Sequence, residues 1–589
     1  MKTILTTLNS KFIHSCLSIR YLQTYVKDLV DVEIKEFTIN QNKDFIAAEI
    51  YKEKPEVIGF STYIWNLKET FEICEILKLV NPKLKIILGG PEVSYDSEQI
   101  LEENPFIDFI IYGEGEDTFK ELMEKLISNE TNYSSINGMV FRGENKIIKT
   151  PPRPLIKNLD IIPSPYKDIG KEFENKIVYY ESSRGCPFNC EFCLSSTIKG
   201  VRFFSLERVK EDLDSLIEGK VRQVKFVDRT FNANKKYAME IMEFIMEKNP
   251  LNINFHFEVT AHLLDDEMLN FLSGVKEGLF QFEVGVQSTN LDTIEAIGRI
   301  TDFKKLKTVT EEVKSFKNIH QHLDLIAGLP YEGYNSFRNS FNDVYDIKPE
   351  KIQLGFLKLL KGSGLRKNQD KYGYKYLNVP PYEVLESKYI SYEEITRLKG
   401  IEDLVEKYYN EGYFENSLEY LIKNHYKTPF DLYEEFLIYW EERGYHQVSH
   451  SRNRLYEILL EYYKERNFED IIIFSELVKY DYIINNKNPN IPNFFTRVDE
   501  DLIQKNIHEI LKDDRLLKNH LYEYKEIPTK KIINKIIVEG FKVNILKIIE
   551  EGYNPVDEYN STYILFNYRE GVINRCITYN ISEIVKEMI

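Results

Sequence analysis

The stretch that decides the reading is Ser182-Ser183-Arg184-Gly185-Cys186-Pro187-Phe188-Asn189-Cys190-Glu191-Phe192-Cys193. Three of the chain's six cysteines fall within eight residues, spaced C-x3-C-x2-C. Thiolates at this spacing suit a soft metal centre. A four-iron cubane held by Cys186, Cys190 and Cys193 keeps one iron without a protein ligand, open to a small molecule. Zinc in a structural site takes four protein ligands, and no cysteine or histidine cluster follows nearby to complete one. The expected occupant is the iron–sulfur cluster.

This spacing, with the aromatic Phe192 just before the last cysteine, resembles the signature of the radical S-adenosylmethionine (SAM) superfamily. The resemblance implies a [4Fe–4S] cluster on Cys186, Cys190 and Cys193. SAM binds its open iron through amine and carboxylate and is cleaved by one electron to a 5′-deoxyadenosyl radical. It also implies an external one-electron reductant such as flavodoxin or ferredoxin, and oxygen sensitivity, hence anaerobic work.

Around the cysteines the chain alternates strand-like and helix-like runs. Strands are expected at 177–181, 224–228, 254–259, 280–287, 322–330 and 351–357, with helices between them. Six such units suit an open (β/α)6 barrel, which places its chemistry at the carboxyl ends of its strands. The cysteine loop follows the first strand, at that end. SAM presents an amine, a carboxylate and a ribose diol, so its site needs acceptors and a cation. Glu258, Gln287, Arg299 and Asp324 are polar residues at or just beyond three strand candidates.

The segments 283–288, 297–299 and 324–330 resemble the subgroup typified by oxygen-independent coproporphyrinogen oxidase. That resemblance implies Glu258 and Gln287 at the amino-acid or ribose end of SAM, Arg299 on its carboxylate, and Asp324 on its ribose. Where the superfamily usually has a glycine motif for the amine, this chain has Phe226-Val227-Asp228-Arg229-Thr230-Phe231-Asn232. This looks like the cobalamin-dependent branch, with Asp228 in that task. Barrel-mouth solvation and helix capping are the alternative duties of each of these residues.

Residues 1–130 form an earlier αβ series, with strands expected near 2–8, 32–38, 57–61, 85–88 and 109–112. Repeated alternation of this kind argues for a doubly wound parallel sheet. Its ligands sit beyond the strands' carboxyl ends, where Ser61-Thr62, Gly89-Gly90 and Gly113-Glu114-Gly115 fall. No G-x-G-x-x-G follows the first strand, so a dinucleotide site is not indicated.

The motifs Phe60-Ser61-Thr62, Leu88-Gly89-Gly90-Pro91-Glu92 and Tyr112-Gly113-Glu114-Gly115-Glu116 instead resemble the cobalamin-binding domain found ahead of many radical SAM domains. Cobalamin contacts are thereby implied at Ser61, Thr62, Gly89, Gly90, Glu92, Gly113, Glu114 and Gly115. The D-x-H-x-x-G motif that puts histidine on cobalt is absent, and His14 reads as a capping or core residue. A domain that kept its fold and lost the cofactor is the alternative.

Residues 131–175 read as a hairpin (137–150) and a proline-rich connector, 176–365 as the barrel, and 366–589 as a mostly helical, tyrosine-rich region. That region resembles a C-terminal domain of unassigned function attached to some cobalamin-type radical SAM proteins. The tyrosines read chiefly as core and amphipathic-face residues.

At 589 residues, 43% hydrophobic and 29% charged, the chain reads as globular with several domains. Its formal charge of −17 disfavours bulk nucleic acid as a default partner. No signal-peptide pattern and no membrane-spanning run are seen, so a cytoplasmic location is expected.

The leading expectation is a cobalamin-dependent radical SAM enzyme that transfers a methyl group to an unactivated carbon. A radical SAM cyclase or rearrangement enzyme is the alternative within the class. A non-catalytic iron–sulfur and SAM-binding sensor is the alternative outside it. The substrate, a small molecule or a macromolecule, stays open.

Overall fold

Four of the strand-like runs in the first 111 residues are buried along nearly their whole length and pack as a sheet covered on both sides, while Val32–Thr38 alternates apolar residues with Glu33, Lys35 and Glu36 at the sheet's edge. The computed structural model describes residues 1–589 apart from 168, 170, 175, 488, 489, 556–558, 570–574 and 589, with backbone alone at 171 and 575. Strands β1 (Thr3–Asn9), β2 (Val32–Thr38), β3 (Val57–Ser61), β4 (Lys85–Gly89) and β5 (Phe109–Ile111) are parallel. They run in the order β2-β1-β3-β4-β5. Apolar clusters flank the sheet, one holding Ile4, Ile58, Ile86 and Ile110 and the other Leu5, Val57, Ile87 and Phe109. The strand order reverses between β1 and β3, and such a switch point is where an open parallel sheet forms its ligand crevice.

The hairpin that the sequence placed in the connector extends this sheet. β6 (Met139–Arg142) pairs antiparallel with β5, and β7 (Ile147–Lys149) with β6. Met139 and Val140 are fully buried, so the hairpin's apolar residues complete the first core rather than bridge to the second.

The second sheet contains β8 (Ile177–Tyr180), β11 (Gln223–Phe226), β12 (Asn254–Val259), β13 (Phe280–Gln287), β14 (His320–Ala327) and β15 (Lys351–Phe356), in chain order. β8 and β15 are its two edges, so the barrel is open. Side chains alternate along each strand. On β14, Gln321 points to the flanking helix, where its amide donates to Thr310 O at 2.9 Å. By alternation His322 and Asp324 point into the lumen, as do Glu283 and Gly285, which pair with them across β13. The barrel is therefore apolar outside its strands and polar within. Backbone from the first domain covers the open β8 edge: Ile177 N donates to Ile13 O at 2.7 Å.

Between β8 and β11 lies a two-stranded antiparallel hairpin that sequence periodicity did not signal. β9 (Ser183–Cys186) pairs with β10 (Gly200–Phe203), and the cysteine loop is the excursion between them. Gly185 stands in the left-handed region at φ 105°, and a Cβ there would lie 2.0 Å from Gly200 O. Gly185→Ala is expected to cost at least about 3 kcal/mol, from backbone strain plus overlap. A lowered first thermal transition and a fall in bound iron should both be seen.

The chain divides into two compact units. One holds residues 1–337 and 354–395, and the other 338–353 and 396–589. Residues 354–395, which include the segment after the barrel, belong to the first unit. The Tyr382 hydroxyl bonds Glu92, and the Tyr95 ring occupies the space over Gly362.

The second unit is built on helices Glu415–His425, Pro429–Glu442, Arg452–Glu465 and Ile471–Asn485. Beyond them Ile536–Phe541 and Thr562–Arg569 pair antiparallel in a three-stranded sheet. Thr428 and Asp431 form a capping box that starts the second of these helices. Tyr408, Tyr420, Tyr433, Tyr456, Tyr462 and Tyr463 are fully buried in this unit's core. No helix among the described residues is long and apolar enough to cross a membrane.

Candidate functional site

The cysteine loop lies across the carboxyl ends of the barrel strands. Glu191 N donates to Ile297 O, and Leu365 N to Glu191 O, each at 2.9 Å, so segments after β13 and β15 grip the loop. Thr230, after β11, places its hydroxyl 3.6 Å from Cys186 Sγ. The loop's root is held by Asp228. One carboxylate oxygen accepts from Ser182 N at 3.0 Å, and the other from the Ser182 and Ser183 hydroxyls at 2.6 and 2.5 Å. Asp228 is fully buried in this role.

All three thiols are free, with Cys190 buried and Cys186 and Cys193 half-buried. Burial pushes the Cys190 thiol up, the Arg299 guanidinium pulls it down, and Cys193 and Cys186 stand close enough to push it up again. Among the described residues no three Cys, His, Asp or Glu side chains converge on one ion. Each cysteine of a cubane takes its own iron. The triad fits a cluster on donor chemistry and on its open fourth corner. Phe192, half-buried, stands in the turn before Cys193.

Of the residues expected around SAM, Gln287, Arg299 and Asp324 come together at Gly285. A Cβ on Gly285 would lie 2.3 Å from Gln287 Nε2 and 3.3 Å from Arg299 Nη2. Arg299 donates to Gly285 O, and its other terminal nitrogen stands 3.9 Å from Cys190 Sγ. Gly285 is paired in register with Asp324. Gln287 Oε1 and Asp324 Oδ1 are buried acceptors without a hydrogen-bond partner. Gln287 also holds a left-handed backbone, φ 71°, which a glutamine adopts only under constraint. Two orphaned acceptors and a guanidinium beside a cluster thiol match a zwitterionic amino acid with a diol.

Burial pushes the Asp324 carboxyl well up, and the Glu283 and Glu258 charges push it further. Burial likewise raises Glu258. Arg299→Met should raise the KM for SAM about 10- to 100-fold, the scale of one lost charge-assisted bond. Initial rates of 5′-deoxyadenosine release against SAM concentration check this.

Below this spot lies a belt that sequence analysis missed. Glu283 Oε2 accepts from Lys225 Nζ at 3.0 Å and pairs with His256 Nε2 at 2.9 Å. Burial works against the Glu283 charge, but the His256 bond and the Lys225 cation outweigh it and hold the carboxyl at about 2. A folded value below the ordinary 4.5 means the group stabilises the fold above that pH. The stabilisation is lost as pH falls toward 2. The difference in thermal midpoint between native and Glu283→Gln chains should therefore narrow on acidification from pH 5 toward about 2. Alternating polar residues inside strands Phe280–Gln287 and His320–Ala327 were the available signal.

In the first domain the implied cobalamin residues gather at the ends of β3, β4 and β5. Thr62 donates its N–H and hydroxyl to Gly89 O, both at 2.7 Å. Gly90, φ 111°, approaches so closely that a Cβ would lie 2.4 Å from Thr62 O. Ser61 Oγ bonds Ser18 Oγ at 2.9 Å. Gly113 has open space where a Cβ would stand, and Gly89 and Gly115 have ordinary contacts only. These glycines leave a bare backbone ledge, the cradle a large planar ligand needs.

The two glutamates among the implied contacts, Glu92 and Glu114, are bonded to other side chains. Glu92 is buried against the Tyr382 hydroxyl, with Lys361 Nζ 3.9 Å away. Glu114 is bonded to Arg184 and Arg202. Arg184 lay within the quoted cysteine stretch, but nothing local marked its partners.

Three stretches of the chain match known protein families. Residues 4–123 match the B12 binding domain family, 180–344 the radical SAM superfamily, and 370–566 a protein family of unknown function, DUF4080. An uncharacterized methyltransferase, PH0819 of Pyrococcus horikoshii, is 31% identical over 334 residues, 54% of this chain and 70% of that protein. The cobalamin-dependent radical SAM methyltransferase TokK of Streptomyces tokunonensis is 25% identical over 318 residues, 50% of this chain and 45% of TokK. The structure of the cobalamin-dependent SAM radical enzyme OxsB with aqua-cobalamin shares the fold, with TM-score 0.58 at 15% identity over 90% of this chain and 84% of OxsB.

The chain belongs to the radical SAM superfamily, in the branch that carries an N-terminal cobalamin-binding domain. Its cofactors are a [4Fe–4S] cluster, SAM and cobalamin.

Proposed function

We propose that this chain is a cobalamin-dependent radical SAM methyltransferase acting on an unactivated carbon. The carrying observation is Arg299, which links Cys190 Sγ at 3.9 Å to the Gly285 carbonyl, beside the orphaned acceptors of Gln287 and Asp324. The relatives named as methyltransferases support the same chemistry. When bound, the cluster supplies the electron that cleaves SAM, and cobalamin supplies the methyl carrier.

The protein's part is placement. Arg299 fixes the SAM carboxylate. Gln287 Oε1 and Asp324 Oδ1 accept from its amine and ribose. Glu258 stands beside them as a further acceptor. Asp228 acts on the loop root, through Ser182 and Ser183. Held this way, SAM pays its loss of freedom before the reaction rather than during it. We place the enzyme in the cytoplasm, served by flavodoxin or ferredoxin as electron donor.

Anaerobic reconstitution with iron, sulfide and hydroxocobalamin, followed by dithionite and SAM, tests this reading. Both 5′-deoxyadenosine and S-adenosylhomocysteine should form, the second reporting departure of the methyl group. If 5′-deoxyadenosine forms without S-adenosylhomocysteine, methyl transfer is excluded and radical chemistry stands. If cobalamin elutes apart from the protein and neither product forms, the whole reading fails.

A further inference from the structure

The end of β5 and the cysteine-bearing hairpin are joined by a buried cluster of charges. Arg184 on β9 and Arg202 on β10 are directly opposed in the hairpin. Glu114, just past β5, accepts from Arg202 at 2.7 and 3.1 Å and from Arg184 at 3.3 Å. Its remaining capacity is taken by Ile156 N at 2.8 Å. Glu116 accepts from Arg184 at 2.6 Å. None of these four side chains is more than 18% exposed.

The two ends of the cluster touch different cofactor sites. Gly113, part of the bare ledge that would meet the corrin, is the residue before Glu114. Arg184 is two residues before Cys186, and the intervening Gly185 is wedged against Gly200 O with no room to absorb a shift. Arg202 fixes the hairpin's return strand and also donates to Ile156 O at 2.6 Å. Arginine–carboxylate forks have defined geometry and, out of water, act strongly. A displacement of the β5 end is therefore passed to the strand that ends in the first cluster ligand.

We propose that Glu114, Glu116, Arg184 and Arg202 form a latch that couples the two cofactor sites, so that cobalamin bound at the end of β5 shifts the reduction equilibrium of the cluster. The proposal rests on the reading that this strand end holds cobalamin. It makes the four side chains positioning residues. Glu114, implied as a cobalamin contact by resemblance, spends both oxygens on the latch. Coupling is reciprocal. A change in cluster oxidation state must alter cobalamin affinity by the same factor, which ties methyl-carrier loading to delivery of the electron.

The test uses full-length protein reconstituted with 57Fe, with and without hydroxocobalamin, poised at fixed potentials. Mössbauer spectra see iron alone and give the reduced fraction without interference from cobalt. In the native chain cobalamin should change the ratio of reduced to oxidised cluster about tenfold, equal to about 59 mV for a one-electron couple. Arg202→Met should abolish the change, and Arg202→Lys should keep most of it.

Glu114→Gln, which preserves shape, should abolish it too and serves if Arg202→Met fails to fold. A cobalamin effect undiminished in Arg202→Met or Glu114→Gln overturns the latch. So does a native chain that binds cobalamin with no change in the ratio, an outcome that leaves the cobalamin reading intact. Native protein that retains no cobalamin overturns both.

Discussion

Cys190→Ala is expected to remove the cluster and reductive SAM cleavage together. Cys190 is the buried member of the triad, and its sulfur is the one that Arg299 reaches. Alanine leaves two thiolates for a cubane that needs three protein corners, and no described cysteine stands ready to replace the third. The brown absorbance of the reconstituted protein should vanish. Release of 5′-deoxyadenosine should drop at least about 10⁴-fold, a modest part of the acceleration enzymes provide. Cobalamin should still co-elute, since its ledge is built on a different sheet. Turnover within tenfold of native in this variant would falsify the cluster assignment.

The second large effect is on stability. Arg184 is 12% exposed and bonds three carboxylates: Glu116 at 2.6 Å, Glu181 at 2.9 Å and Glu114 at 3.3 Å. Breaking a buried ion pair from one side leaves charge without compensation, which costs about 3–5 kcal/mol. Arg184→Ala should pay that cost as a markedly lower thermal transition of the first unit.

The penalty depends on pH in a definite direction. Burial already pushes Glu181 up to about 7, against the pull of Arg184. Without the arginine Glu181 takes a proton more readily, so the deficit should shrink as pH is lowered from 8 to 6. Arg184→Lys keeps a cation but loses the fork, and should fall between alanine and native. Differential scanning calorimetry at the two pH values reads both comparisons. An alanine variant with a native transition at pH 8 would show that the cluster of charges contributes specificity alone.

Much of the architecture was legible because it is written in local patterns. Strand alternation in Phe280–Gln287 and His320–Ala327, and the short apolar runs 57–60, 86–88 and 109–111 of the first domain, follow from the two-residue repeat of a strand and from burial on both faces. The barrel's six strands and the sheet before them could be placed this way. The hairpin Met139–Lys149 was visible as a hairpin, but not as part of the first sheet. Its turn is a local feature, whereas its partner strand lies about thirty residues earlier in the chain. β9 and β10 escaped because each has four residues and a glycine at a sharp bend.

The cysteine spacing by itself determined the metal chemistry. Three thiolates within eight residues specify their donor set whatever surrounds them, and the missing fourth ligand follows from the count. Which carboxylates find partners within the protein was decided by tertiary structure alone. Asp228, Glu92 and Glu114 looked like site residues by position in a motif. The fold spends Asp228 on Ser182 and Ser183, Glu92 on Tyr382, and Glu114 on two arginines. Gln287 and Asp324, by contrast, keep buried acceptors with no partner. A carboxylate's neighbours across 70 to 290 residues leave no periodic trace in the chain. Whether its lone pairs are filled from within, or left for a ligand, is settled only when distant strands meet.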